Sequence, residues 1–158
     1  MNLIEKLDQK AALHPNRIAL VDSKGQITYQ QLYYKICSGS EILTKGGLKV
    51  GDHVLLLLPV SVELYIAFLS VLHAGMTVVL LDPSAGKERI KQSLESIDIK
   101  SCIGVPKAQL LRLSNASFRA INQHYTTKLW LPFSTFWNPK PQLATRPAIV
   151  APDHPALI

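Results

Sequence analysis

The sequence predicts an α/β fold built on a parallel, doubly wound sheet, and three observations point there. Val54 to Leu58 and Val78 to Leu81 are unbroken apolar runs, the signature of strands covered on both faces. Between them lies a segment of helical length, with Gly and Pro at the junctions from Leu48 to Ser84. A third apolar run, Ser101 to Val105, follows a second amphipathic stretch. The resulting βαβαβ succession implies right-handed crossovers and helices on both sheet faces.

Leu3, Ile4, Leu7 and Ala11 recur at helical spacing, so a first helix runs to about Leu13 and stops at His14-Pro15-Asn16. Ile18 to Val21 reads as a short strand, Ser23-Lys24-Gly25 as a turn, and Gln26 to Thr28 as the return strand. Thr28 and Gln31 have capping-box spacing; the helix they open carries Leu32, Ile36 and Leu43 on one face and closes at Gly46-Gly47. His53 to Leu58 is the first buried strand, ended by Pro59. Ser61 can cap a helix from Val62 to Ala74. That helix is apolar almost all round, so it needs covering on more than one side. Glu63 and Ser70, seven apart, are expected to form its narrow wet stripe, and Gly75 is placed to be its C′ residue.

Thr77 to Leu81 is the second buried strand, stopped by Asp82-Pro83. From Gly86 to Ile97, Ile90, Leu94 and Ile97 face inward while Lys87, Glu88, Lys91 and Glu95 face water. Lys107 to Leu113 is expected to be a short helix after the third strand. Ser117 to Leu129 reads as a poor helix or an irregular excursion, and Trp130 and Trp137 fall in a proline-rich stretch. Residues 148–150 and 156–158 look like short strands, the last meeting the chain end without a turn, which reads as truncation. The organisation expected is an α/β subdomain over 1–115, an irregular Pro- and Trp-containing segment over 116–147, and the start of a further strand region over 148–158.

Composition narrows the function classes. Apolar residues are 47% and charged residues 18% of 158, which suits one folded domain and excludes disorder. No apolar run is long enough to span a bilayer and MNLIEKLDQKAAL is no signal peptide, so a cytoplasmic protein is expected. Cys37 and Cys102 read as packed, reduced thiols. The net charge of +6 comes from scattered bases such as Lys45, Lys49, Arg89 and Lys128, with no basic block or nucleic-acid motif, so no nucleic-acid partner is expected.

Few residues read as chemistry. Gly86-Lys87 lacks the upstream glycine and following Ser/Thr of a phosphate loop, and the histidines at 14, 53, 73, 124 and 154 lack zinc spacing. Asp82 ends a parallel strand, where α/β proteins place ligand-binding groups, though Asp-Pro is more often a turn. His73 reads as a packed, hydrogen-bonded side chain rather than a switch, and the tryptophans as anchors rather than a stacking platform.

In order along the chain, the landmarks resemble the adenylate-forming superfamily of acyl-CoA synthetases, peptide-synthetase adenylation domains and luciferases. His14-Pro15-Asn16-Arg17-Ile18-Ala19-Leu20 is similar to the family's opening strand, and Ile27-Thr28-Tyr29-Gln30-Gln31-Leu32 resembles its "L-T-Y-x-E-L" motif. Leu48 to Val54 resembles the "G-v-x-x-G-D-x-V" entry. Leu72 to Pro83 resembles "L-K-A-G-A-x-x-v-P-l-D-P", with His73 for the usual Lys and Leu80 for the usual Pro. The resemblance covers roughly residues 13–105.

It implies the N-terminal subdomain of the adenylate-forming fold, incomplete, from an ATP-dependent ligase that joins a carboxylate to AMP and passes the acyl group to coenzyme A or a carrier protein. ATP, Mg²⁺ and CoA are implied for the parent enzyme, with the missing C-terminal portion as this chain's first partner and a carboxylate as the parent's substrate. In the family the Ser/Thr/Gly-rich phosphate loop follows a strand like Pro155-Ala156-Leu157-Ile158, and the magnesium glutamate, ribose-binding aspartate and catalytic lysine lie further on. The resemblance carries no catalytic, cofactor-binding or metal-binding residue onto this chain. The expectation is a piece inactive alone, with no cofactor of its own, whose exposed apolar surface favours self-association. A non-enzymatic α/β module binding a nucleotide or a protein is the alternative.

Overall fold

Asn2 starts the first helix by reciprocal bonding. The Glu5 N–H donates to its Oδ1 at 2.9 Å while its own N–H donates to Glu5 Oε2 at 3.0 Å. This helix, α1 (Leu3–Leu13), buries Ile4, Leu7 and Ala11, whereas Leu3, expected on the same face, stays exposed. The structure is a computed structural model that describes residues 2–81, 84–128 and 135–140. The strand-end Asp82, Trp130 and the strands expected at 148–150 and 156–158 lie outside the described residues.

An antiparallel hairpin follows, β1 (Ile18–Asp22) with β2 (Gly25–Thr28). The predicted capping box then opens α2 (Tyr29–Lys45): the Gln31 N–H donates to Thr28 Oγ1 and the Thr28 N–H to Gln31 Oε1. Strand β3 (His53–Leu57) leads into α3 (Val62–His73), where Ser61 Oγ accepts from the Leu64 N–H at 3.2 Å. At the other end of α3 the Gly75 N–H reaches Leu72 O and the Met76 N–H reaches Val71 O, both at 3.0 Å. That double closure needs a left-handed residue, and Gly75 supplies it with φ 73°.

Strand β4 (Thr77–Leu80), helix α4 (Lys87–Ser96) and strand β5 (Ile99–Gly104) complete the predicted βαβαβ unit. The third strand begins two residues earlier than expected. Beyond it the sequence reading needs correction. The single helix expected over 107–113 is two turns, α5 (Pro106–Gln109) and α6 (Leu111–Ser114). The stretch read as a poor helix or irregular excursion holds one turn, α7 (Ala116–Arg119), and a strand, β6 (Gln123–Thr126). Strand β7 (Thr135–Phe136) then pairs with β6.

All five strands of this sheet run parallel in the order β4-β3-β5-β6-β7. Alternate β3 residues face opposite layers. Val54 and Leu56 pack with Leu64, Ala67 and Val71 of α3, and Leu55 and Leu57 pack with Ile90 and Leu94 of α4 and Phe118 of α7. The sheet is thus wound on both faces. A third cluster joins α1, the hairpin, α2 and the outer side of α3 through Ile4, Leu7, Ile27, Ile36, Ile66 and Leu69.

Of two expectations about α3, the cover on more than one side is met and the wet stripe changes. Its apolar positions are covered within this chain, by the sheet on one side and by α1 and α2 on the other; Tyr65 is its large exposed side chain. Ser70 is not on a wet stripe but fully buried, its Oγ donating to Ile66 O at 2.7 Å. The reason is the crossing with α2. A Cβ on Gly39 would stand 2.8 Å from Ser70 Cβ, so two small residues bring the helix backbones together. Trp137 caps this crossing, buried, edge-on to Tyr125 with centroids 5.9 Å apart. Its backbone N–H donates to Thr126 O at 2.7 Å, and the Lys140 backbone N–H donates to Ser38 Oγ at 3.0 Å. The anchoring role expected of this tryptophan is what the structure shows. Among the described residues no helix is long and apolar enough to cross a membrane.

Candidate functional site

Topology singles out one edge of the sheet. The chain passes from β3 to β4 on one side, then crosses back to β5 on the other, so the winding reverses between β3 and β5. In open α/β sheets, ligands bind outside the carboxyl ends of the strands at such a reversal. A cavity of about 600 Å³ lies at that place, floored by Leu57, Val105, Ile90 and Ala108 and edged by Lys87 and Lys107. Gly86, also on its rim, is the residue before α4; it has φ 85° and gives that helix no side-chain cap. The Gly86-Lys87 pair, rejected as a phosphate loop on sequence, therefore does sit at a cavity. An apolar floor with two ammonium groups at the rim can hold an amphiphilic anion. Ser84 and Ser114 also line it, but no carboxylate or histidine stands among the described lining residues to act as their base.

A second cleft, about 570 Å³, opens between the hairpin, the first turns of α2 and α3, and residues 136–139. Asp22 fixes its geometry. Its Oδ2 accepts from the Val62 N–H at 2.9 Å and its Oδ1 from the N–H groups of Lys24 and Gly25, locking the hairpin turn to the start of α3. The Val62 bond, with those of Lys24 and Gly25, holds the carboxyl below the usual carboxylate range. Glu63, one residue into α3, is the opposite case. Burial pushes its carboxyl up, against the pull of Lys24 and Lys35. Sequence reading missed this cleft, because its walls come from segments more than a hundred residues apart.

The remaining titratable groups are structural. His73 is buried where α3 meets α2, with its Nε2 3.7 Å from Cys37 Sγ and its ring edge-on to Tyr33. His124 lies under α7, edge-on to Phe118, its Nδ1 3.1 Å from Gln109 Oε1; burial lowers its pKa to about 4. Gln109 in turn donates to Tyr125 O at 3.0 Å. Burial raises the Cys102 thiol, so it stays protonated. His14 and His53 lie at other places on the fold. Among the described residues no group of three or more His, Cys, Asp or Glu could hold a metal ion.

Comparison with known proteins supplies what this geometry lacks. The sequence pattern of the AMP-binding enzyme family matches residues 7–158. The chain belongs to that family. A plipastatin synthase of Bacillus subtilis (strain 168) is 34% identical over 99 residues, which is 63% of this chain and 4% of that protein. The anthranilate CoA ligase AuaEII, solved with anthranoyl-AMP, matches 99% of this chain and 31% of its own with a TM-score of 0.89 at 16% identity. The Klebsiella oxytoca NpsA N-terminal subdomain, solved with 3-hydroxyanthranilyl-AMSN, matches 98% of this chain and 36% of its own with a TM-score of 0.71 at 19% identity. At those identities the solved structures establish the adenylate-forming N-terminal fold. The chain spans about a third of their length and far less of the plipastatin synthase.

Within this AMP-binding family member, the described residues bring together no set of three or more carboxylate, His or Cys groups around a metal position. The cavity lysines fit an anion. No bond-making step follows from these side chains.

Proposed function

We propose that this chain is the amino-terminal α/β scaffold of a carboxylate-activating ligase, one that uses ATP and Mg²⁺ to form an acyl-adenylate and passes the acyl group to the thiol of CoA or a carrier protein. The observation that carries the proposal is the family match running along residues 7–158. Activation of this kind replaces a poor leaving oxygen by AMP, and Mg²⁺ with fixed hydrogen-bond donors would supply the stabilisation at the α-phosphate. What this chain contributes is a rigid sheet: two buried strands with α3 between them, and helix ends capped by Ser61 and Thr28. Its partner in catalysis is the remainder of the same enzyme, and its place of work is the cytoplasm, in keeping with Cys37 and Cys102 as buried cysteines outside any disulfide.

The test is genetic and enzymatic. The nucleotide sequence after the codon for Ile158 should continue in frame into a Ser/Thr/Gly-rich loop ending in Pro-Lys, and the protein so encoded should exchange pyrophosphate into ATP when given its carboxylate. A stop codon with no such loop in any frame downstream, or a longer protein without carboxylate-dependent exchange, overturns the proposal.

A further inference from the structure

The cleft beside the hairpin contains a combination that the scaffold role leaves unused. Glu63 is half-buried at the start of α3 and makes no hydrogen bond or ion pair with any other described residue. The N–H groups of that helix end are already taken, Val62 by Asp22 and Leu64 by Ser61, so Glu63 is not needed as a cap. Taking a carboxylate partly out of water without a hydrogen-bond partner is costly, and a group so placed in a cleft is a candidate for binding, beyond its favourable place in the first turn of α3. Lys24 and Lys35 face the same space and act on Glu63 electrostatically without closing a salt bridge to it. The rest of the wall is mixed: Asp22, already held by three backbone N–H groups, Gln26, Gln31, Thr127 and Asn138 are polar, and the apolar part is Ile27 from the hairpin, Ile66 from α3, and Phe136 from the segment held by the backbone N–H of Trp137 on Thr126 O.

We propose that this cleft binds a small zwitterion with an apolar side chain, its ammonium on Glu63, its carboxylate on Lys24 and Lys35, and its side chain against Ile27, Ile66 and Phe136. A simple anion would meet the lysines but also the Glu63 charge, and a simple amine would meet the reverse. A molecule carrying both charges on neighbouring atoms satisfies the two sides together, and the volume of about 570 Å³ is in the range of small-molecule sites. The site is separate from the cavity at the carboxyl ends of β3 and β5, and it stands whether or not the ligase reading does.

Calorimetric titration of the whole chain with three probes tests it: L-phenylalanine, 3-phenylpropanoate, which lacks the amine, and phenethylamine, which lacks the carboxylate. Phenylalanine is expected to bind one to one, with each half-probe at least tenfold weaker. E63Q should cost phenylalanine at least tenfold while 3-phenylpropanoate, freed of the Glu63 charge, binds as well or better. K35Q should weaken both carboxylates and spare phenethylamine, with K24Q, at an exposed position, as the substitute should K35Q melt early. Absence of binding at millimolar phenylalanine, a half-probe that binds as tightly, or affinity indifferent to E63Q overturns the proposal.

Discussion

The two faces of the sheet are built differently. On one side, α2 and α3 are long helices of 17 and 12 residues, each opened by a side-chain cap and joined at a close crossing sealed by Trp137. On the other, α4 has 10 residues and no side-chain cap, and α5, α6 and α7 are single turns of four residues each. There a buried polar chain, Gln109 to His124 and to the Tyr125 carbonyl, adds to the packing of α4 against α7. The comparison separates stability from adaptability. The long-helix face is joined by helix-on-helix apolar contact, whereas the short-turn face combines an apolar core around Phe118 with buried hydrogen bonds and carries the cavity edged by Lys87 and Lys107.

If that contrast is right, the largest loss follows removal of the seal. Trp137→Ala should destabilise by about 3–5 kcal/mol in urea unfolding, because it empties a site enclosed by two helices and the sheet. A loss under about 1 kcal/mol would mean that residues 135–140 are not part of the core.

The opposite face should show itself through pH. His124 has its pKa lowered to about 4 in the folded chain, against about 6.5 unfolded. Above pH 6.5 the ring is neutral in both states and costs nothing. As pH falls from 6.5 towards 4 the unfolded chain takes up the proton first, so stability should decline by up to about 3 kcal/mol and then level. Stability measured from pH 7 to 4 should show this fall, and H124Q should flatten it. A wild-type profile that is flat over that range would remove the polar chain from the account.

Gly39→Ala comes next, at about 1–3 kcal/mol, since the added methyl must displace Ser70 or Trp137. S70G should recover part of that loss by relieving the closest contact, and no recovery would place the crossing's tightness elsewhere. Smallest is Thr28→Ala, about 1 kcal/mol by thermal melting, for loss of one half of the capping box at α2.

The same division describes what could be read from the sequence. Elements from α1 to β5 were legible because their cues are local: Thr28 with Gln31, Ser61 before an apolar helix, Gly75 after it, and apolar runs at 54–58 and 78–81. Strand β6 was not, because Gln123, His124 and Thr126 look like loop residues until their partners are known. Gln123 donates to the carbonyl of Gly46 and Tyr125 joins the core around Leu43, both far away in sequence. Ser70 misled for a related reason. A serine seven residues from a glutamate reads as a wet stripe, and only Gly39 on another helix makes it an interior contact. The cleft at Glu63 was illegible because hairpin, helix starts and residues 136–139 meet only in space. Family membership, in contrast, was carried by four short motifs in order, each marking a turn or cap that the scaffold requires.

One measurement bears most directly on the claim that this chain is scaffold and not catalyst. The purified 158-residue protein, shown to be folded by its melting transition, would be incubated with ATP, Mg²⁺, labelled pyrophosphate and a panel of carboxylates spanning fatty, aromatic and amino acids. The account predicts no carboxylate-dependent ATP–pyrophosphate exchange above the protein-free background. Robust exchange that rises with any one carboxylate would contradict it.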